Sequence, residues 1–193
     1  MSKSPGRPRS EKSKQAIIEA TISLLESSGY HSLTMEAIAN QAGAGKATIY
    51  RWWVNKAELV MEAFKEYMEP QVQFEDTNHI REDFRRQLYN LKNVFDTALG
   101  RTVIEIIVDN GTDPKISESF SEFHLQPRRK EAKRILDKGI KRGEIKESID
   151  KDIVLDMLYA PVYFRILISK QVIDAVFIDT LLDSVMNAIK VPS

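Results

Sequence analysis

The chain has no cysteine in 193 residues. That excludes disulfides and thiolate chemistry. It suits a reducing compartment, so a cytoplasmic location is expected. Net charge is lacking too, because 28 Lys and Arg balance 28 Asp and Glu. No run approaches the ~18 apolar residues of a membrane helix, and the apolar stretch 162–168 is interrupted by Arg165. The basic N-terminus has no apolar segment behind it and is not expected to be a secretory signal. Three histidines occur, His31, His79 and His124, none with a second ligand at metal spacing. Nucleophile elbows, P-loops and dinucleotide fingerprints are missing. Residues 43–46, Gly-Ala-Gly-Lys, imitate a phosphate loop, but no strand precedes them. No catalytic residue, metal or cofactor is expected, no internal repeat is found, and the chain does not read as an enzyme.

What is present is a charge asymmetry. Residues 1–56 hold eight bases (Lys3, Arg7, Arg9, Lys12, Lys14, Lys46, Arg51, Lys56) and four acids (Glu11, Glu19, Glu26, Glu36), or +4. The remainder then holds 28 − 8 = 20 bases and 28 − 4 = 24 acids, or −4. A basic end on an otherwise acidic chain is the footprint of polyanion binding. Residues 1–9 are rich in Pro, Gly, Ser and basic side chains, so they are expected to be disordered when free. They form either a solvated tail or an arm that adds phosphate contacts or places Arg7 or Arg9 in a minor groove. Ser10 is placed as cap of a first helix whose inner face is Ile17, Ala20, Thr21, Leu24 and Leu25. Gly29 ends that helix.

The basic end also contains the most informative stretch, residues 34–56. Thr34 is placed to cap a short helix, with Glu36 in its first turn, where negative charge suits the helix dipole. Met35, Ile38, Ala39 and Ala42 share one helical face, and Gly43 supplies a left-handed stop. A second short helix starts near Gly45 or Lys46. Wound at ~100° per residue, it turns Ile49 and Trp53 inward, within ~40° of each other. Ala47, Thr48 and Arg51 take the opposite side, flanked by Tyr50 and Trp52. Small and hydrogen-bonding groups between two polar-tipped aromatics suit a helix in a major groove, the aromatics toward the phosphate walls. Asn55 and Glu58 form a near capping box for a fourth helix. Leu59, Val60, Ala63, Phe64 and Tyr67 continue its apolar face, and Pro70 ends it.

This stretch resembles the N-terminal domain of TetR-family transcriptional regulators. The resemblance rests on Thr34, Ala37-Ile38-Ala39, Ala42-Gly43, residues 46–53 (Lys-Ala-Thr-Ile-Tyr-Arg-Trp-Trp) and residues 55–59 (Asn-Lys-Ala-Glu-Leu). Two departures stand out. Gly45 stands where the family usually has Ser or Thr, and Trp53 where it often has Phe. The resemblance implies an all-α fold: a three-helix helix-turn-helix DNA-binding domain, residues 1–56, and a helical effector-binding and dimerisation domain, residues 57–193. It implies a homodimeric repressor, with double-stranded operator DNA and a small-molecule effector as partners. Thr48, Arg51 and Ala47 are then expected at base edges and Thr34, Tyr50, Trp52 and Lys56 at phosphates. Lys46 suits either.

Further along, Ile80, Phe84, Leu88, Leu91 and Phe95 give a helix over 78–99, stopped by Gly100. Residues 102–109 have strand-like propensity, but a lone strand lacks a partner, so a buried helix is expected. Asp113-Pro114 opens a helix carrying Ile116, Phe120 and Phe123, and Pro127 kinks or breaks it. Over 128–142 the bases Arg128, Arg129, Lys130, Lys133 and Arg134 are taken as a solvated face. Asp150 caps a helix over 151–169 and Asp174 one over 175–190. Both are apolar on more than one face, so they must be buried on more than one face. The simplest cover is a partner subunit, with Leu158, Val162, Ile166, Phe177, Leu181 and Val185 at the interface. Phe84, Tyr89, Phe95, Phe120, Phe123 and His124 are either core or the lining of an effector pocket, with His124 as the polar handle. Two rival functions stay open, a DNA-binding dimer without effector and a helical protein-interaction adaptor.

Overall fold

The computed structural model describes residues 7–68, 70, 74–110 and 114–191, and of residues 7–10, 110, 114 and 115 only the backbone. Among them are ten α-helices and two π-helical turns, with no strand. The chain divides into two compact units, Met1–Tyr67 with Thr97–Ser117, and Met68–Asp96 with Glu118–Ser193.

The first unit begins with α1, Arg7–Ser32, which starts before Ser10 and takes in residues expected to be disordered. Pro8 causes no break there, because first-turn amides have no intrahelical acceptor to lose. Ile17, Ile18, Ala20, Thr21 and Leu25 are its buried face, and Gly29, at φ 73°, breaks the axis. Helix α2, Met35–Gln41, is capped as expected, with the Ala37 amide donating to Thr34 Oγ1 at 3.1 Å. Its end is a Schellman turn: Gly43 N–H bonds Asn40 O, Ala44 N–H bonds Ala39 O, and Gly43 takes φ 61°. Helix α3, Lys46–Tyr50, has five residues and no side-chain cap at Gly45. Its turn is carried on by Trp53 N–H donating to Ile49 O at 3.0 Å.

Helix α4, Lys56–Met68, is fastened at its start by two side chains. Asn55 Oδ1 accepts from Glu58 N–H, and Glu58 Oε2 accepts from Val54 N–H. Helix α6, Ala98–Asn110, packs on α1 with Val103 and Ile106 fully buried. The long helix expected over 78–99 is interrupted just before it. Helix α5, Ile80–Phe95, ends short of it, and Thr97 opens α6 by accepting the Gly100 amide at 3.0 Å. Gly100 is therefore helical; a hydroxyl cap outweighed the apolar period that ran through it.

The second unit packs α5, Ile80–Phe95, against α8, Gln126–Lys141, and α10, Ala175–Ile189. Helix α7, Pro114–Phe120, runs into a π turn, Ser121–Leu125, and on into α8 without a loop. Pro127 falls in the first turn of α8, and the widened turn ahead of it absorbs its missing donor. Helix α9, Lys151–Tyr163, is capped by Asp150 and contains Pro161. A second π turn, Phe164–Ser169, follows. Asp174 caps α10 by accepting the Phe177 amide at 2.8 Å.

Two expectations are corrected in this unit. Leu158, Val162 and Val185 are buried by their own chain, so they have no surface left to give a partner. Ile166, Phe177 and Leu181 keep partial exposure, and the apolar side chains presented outward are Ile153 and Met157 of α9, Phe164 and Ile168 of the π turn after it, and Val176 of α10. Arg128, placed on the solvated face, is 3% exposed. Residues 128, 132, 135, 136 and 139 form the buried stripe of α8, and Arg128 begins it.

Candidate nucleic-acid interface and ligand cavity

Schellman turn and short α3 together present one face outward. Ile49 and Trp53 are buried, anchoring α3 from beneath. Ala47, Tyr50, Arg51 and Trp52 are exposed and Thr48 is half-buried. Arg51 has no partner for its guanidinium among the described residues, so all five of its donors are available. Tyr50 and Trp52 stand at the edges, 49% and 38% exposed, with the Trp52 ring 6.3 Å from that of Trp53 and the Lys14 ammonium 6.0 Å over it. Thr34 accepts the capping bond, and its hydroxyl hydrogen remains free to donate.

Three of the cations are committed elsewhere. Lys46 Nζ lies 2.7 Å from Glu36 Oε1, with both side chains largely exposed. The Lys46 hydrogen bond, then a backbone one, holds the Glu36 carboxyl below its usual range. A surface pair like this is worth little and yields readily to a phosphate. Lys14 pairs with Glu62 at 2.8 Å and Glu66 at 3.4 Å, and the Glu62 hydrogen bond raises its pKa. Lys56 is more firmly held. Its ammonium donates to Tyr30 O at 2.9 Å and Leu33 O at 3.2 Å and stands 4.3 Å over the Tyr30 ring. It links the start of α4 to the α1–α2 connection. The side chains of Arg7 and Arg9 lie outside the described residues.

Of the six pocket candidates, three gather around a fourth, His124. Phe120 stacks on it at 4.6 Å, Phe95 meets it edge-on at 5.6 Å, and Phe123 contacts Phe120. His124 Nε2 and the Tyr163 hydroxyl share a 2.8 Å hydrogen bond. Burial first, then the nearby Arg128 charge, hold the His124 pKa well below 6.5, so the imidazole is neutral. Phe84 lies apart, edge-on to Phe74 at 6.2 Å. Tyr89 lines a separate polar cleft with Asp83, Arg85 and Gln87.

None of the six lines the large apolar cavity of this unit. That cavity, about 640 Å³, is bounded by α8, α9 and the two π turns. Leu125, Tyr159, Ala160, Phe164, Leu167 and Ile168 give it apolar walls, and Tyr163 and Arg128 also reach it. Sequence reasoning missed Arg128 by treating it as part of a charge run. The available signal was its phase, four residues before Ala132 and seven before Ile135.

Among the described residues no group of three or more His, Asp or Glu side chains could hold a metal, and no helix is long and apolar enough to cross a membrane. Residues 17–63 match the family model for bacterial regulatory proteins of the tetR family, and residues 74–185 match the tetracyclin repressor-like C-terminal domain. The chain is 35% identical over 185 residues to the uncharacterized HTH-type transcriptional regulator YdeS of Bacillus subtilis, covering 96% of this chain and 92% of that one. It is 30% identical over 168 residues to the uncharacterized HTH-type regulator Rv1556 of Mycobacterium tuberculosis, covering 86% and 79%. The TetR-family regulator SCO0332 superposes with a TM-score of 0.77 at 28% identity, covering 91% and 97%. With both halves of the fold matched, the chain belongs to the TetR family of DNA-binding transcriptional regulators.

Proposed function

We propose that the chain is a cytoplasmic, homodimeric repressor that binds a two-fold operator and releases it when a small molecule occupies its helical C-terminal domain. The observation that carries the DNA half is the exposed face of α3. Arg51 is uncommitted there, Ala47 and Thr48 lie beside it, and Ile49 and Trp53 hold the helix from below. Arg51 and Thr48 act at base edges, and Ala47 fits a thymine methyl. Thr34, Tyr50 and Trp52 take phosphates, and Lys46 joins them once its exposed pair with Glu36 opens. Arg7 and Arg9 extend the contact as an arm. Lys56 supports the domain from within.

Dimerisation is supported by the outward Ile153, Met157, Phe164, Ile168 and Val176, too much apolar surface along α9, the π turn after it and the start of α10 for a lone chain. The repressor mode is supported by a relative named DNA-binding transcriptional repressor TetR, from Mycobacteroides abscessus, 26% identical over 92% of this chain. A small molecule releases DNA by preferring one spacing of the two reading heads, and it shifts the population only by its differential affinity.

The test is binding to the DNA upstream of the protein's own gene, at two salt concentrations, against random competitor. Specific binding that weakens steeply with salt, with a two-fold footprint, is expected. Absence of salt-dependent binding would favour the adaptor reading.

A further inference from the structure

The large cavity of the second unit has a chemistry that its apolar walls do not account for. Arg128 lies on its wall and is 3% exposed. Its Nε, Nη1 and Nη2 have no hydrogen-bond partner among the described residues. The Tyr159 hydroxyl, on the same wall, is also buried without one. A buried cation left unpaired is strongly destabilising, and buried polar groups are almost always satisfied.

Neighbouring charges do not neutralise Arg128. Arg129 Nη1 donates to Asp156 Oδ1 at 2.5 Å and Nη2 to Asp152 Oδ1 at 2.8 Å, while Lys133 Nζ donates to Asp152 Oδ2 at 2.8 Å. Three bases, Arg128, Arg129 and Lys133, face two acids, Asp152 and Asp156, so the neighbourhood keeps one positive charge, 3 − 2 = +1. The Tyr163 hydroxyl is already shared with a neutral His124.

We propose that this cavity binds a small organic monoanion with an apolar body, its carboxylate held by the Arg128 guanidinium and the Tyr159 hydroxyl. A planar carboxylate matches the guanidinium fork in two parallel hydrogen bonds. The apolar body lies against Leu125, Leu167 and the ring of Tyr159. A volume of about 640 Å³ falls within the range of small-molecule pockets, roughly 300–1,000 Å³. The effect of such a ligand on DNA rests on the effector reading above, whereas its binding does not.

The experiment titrates the full-length protein, without DNA, by isothermal calorimetry. The probes are octanoate and naphthalene-2-carboxylate, each paired with its neutral primary amide. The carboxylates are expected to bind about tenfold or more tightly than the amides, the worth of one charge-assisted hydrogen bond. Arg128→Met should lose that preference while still binding both members of a pair, and Tyr159→Phe should reduce it. Equal affinity for acid and amide, a preference that survives Arg128→Met, or no binding of either class would overturn the proposal. Arg128→Met removes a buried cation, so the ligand-free variant is expected to melt above wild type. A lower melting point with loss of the dimer would put a partner subunit's carboxylate on Arg128 and overturn it equally. Adding the bound carboxylate to the operator complex then tests the effector reading separately. Release supports it, and binding without release refutes that reading while the site stands.

Discussion

Lys56→Met separates two roles for one lysine. The sequence pattern alone puts this residue on a phosphate, because it opens the helix that follows the recognition helix. The structure gives it two carbonyl acceptors, Tyr30 O and Leu33 O, and an aromatic face. A hydrogen bond from a charged donor is worth about 1.5–3 kcal/mol. Lys56 is half-buried, so water can partly replace it, and methionine keeps most of the packing of its stem. A net loss of about 2 kcal/mol follows from two such bonds discounted for exposure. In a chain of this size that lowers the melting temperature by roughly 4–8 °C. Urea denaturation followed by circular dichroism reads the loss as a fall in the midpoint at constant slope. In parallel, operator affinity is measured against salt. If Lys56 is internal, the salt slope of the folded variant matches wild type. Unchanged stability with a salt slope smaller by about 1 would refute this reasoning and return Lys56 to the phosphates.

Other substitutions test other parts of the structure. Arg51→Ala should cost about 1–3 kcal/mol on the preferred operator and relax the preference at one position, read by competition with single-base variants. Met157→Asp on the outward face of α9 should dissociate the proposed dimer in sedimentation equilibrium, whereas Leu158→Ala, one residue along, should cost about 2–5 kcal/mol of subunit stability as a core truncation. His124 gives a pH dependence. Its folded pKa lies well below 6.5 because of burial and then Arg128, whereas the unfolded chain takes up the proton near 6.5. Stability is therefore full above that value and lost as pH falls below it, by about 1.4 kcal/mol per unit from this one group. His124→Gln should flatten that part of the profile in denaturation series run between about pH 7 and 5.

Helix ends and helix faces were determined by the sequence itself. Thr34, Asp150 and Asp174 cap the helices they precede, Gly29 and Gly43 break or end others, and Ile49 and Trp53 turn inward under the recognition face. These are short-range matters. A hydroxyl, a carboxylate or a glycine acts within one turn, and a face is fixed by winding angle alone. Even so, Thr97 overrode a continuous apolar period, which shows how a local cap can split one helix into two.

Only the tertiary structure decided which of several apolar or charged faces meets which neighbour. Leu158 and Val162 look the same in sequence as Met157 and Phe164, yet the first two fill the subunit core and the others point outward. Lys56 is set by carbonyls more than twenty residues away. Arg128 sits in a basic run whose other members are solvated or paired, and the packing of α8 against α9 and α5 buries that one guanidinium. Winding angle tells which residues share a face, but which face is covered, and by what, depends on contacts between segments distant in the chain.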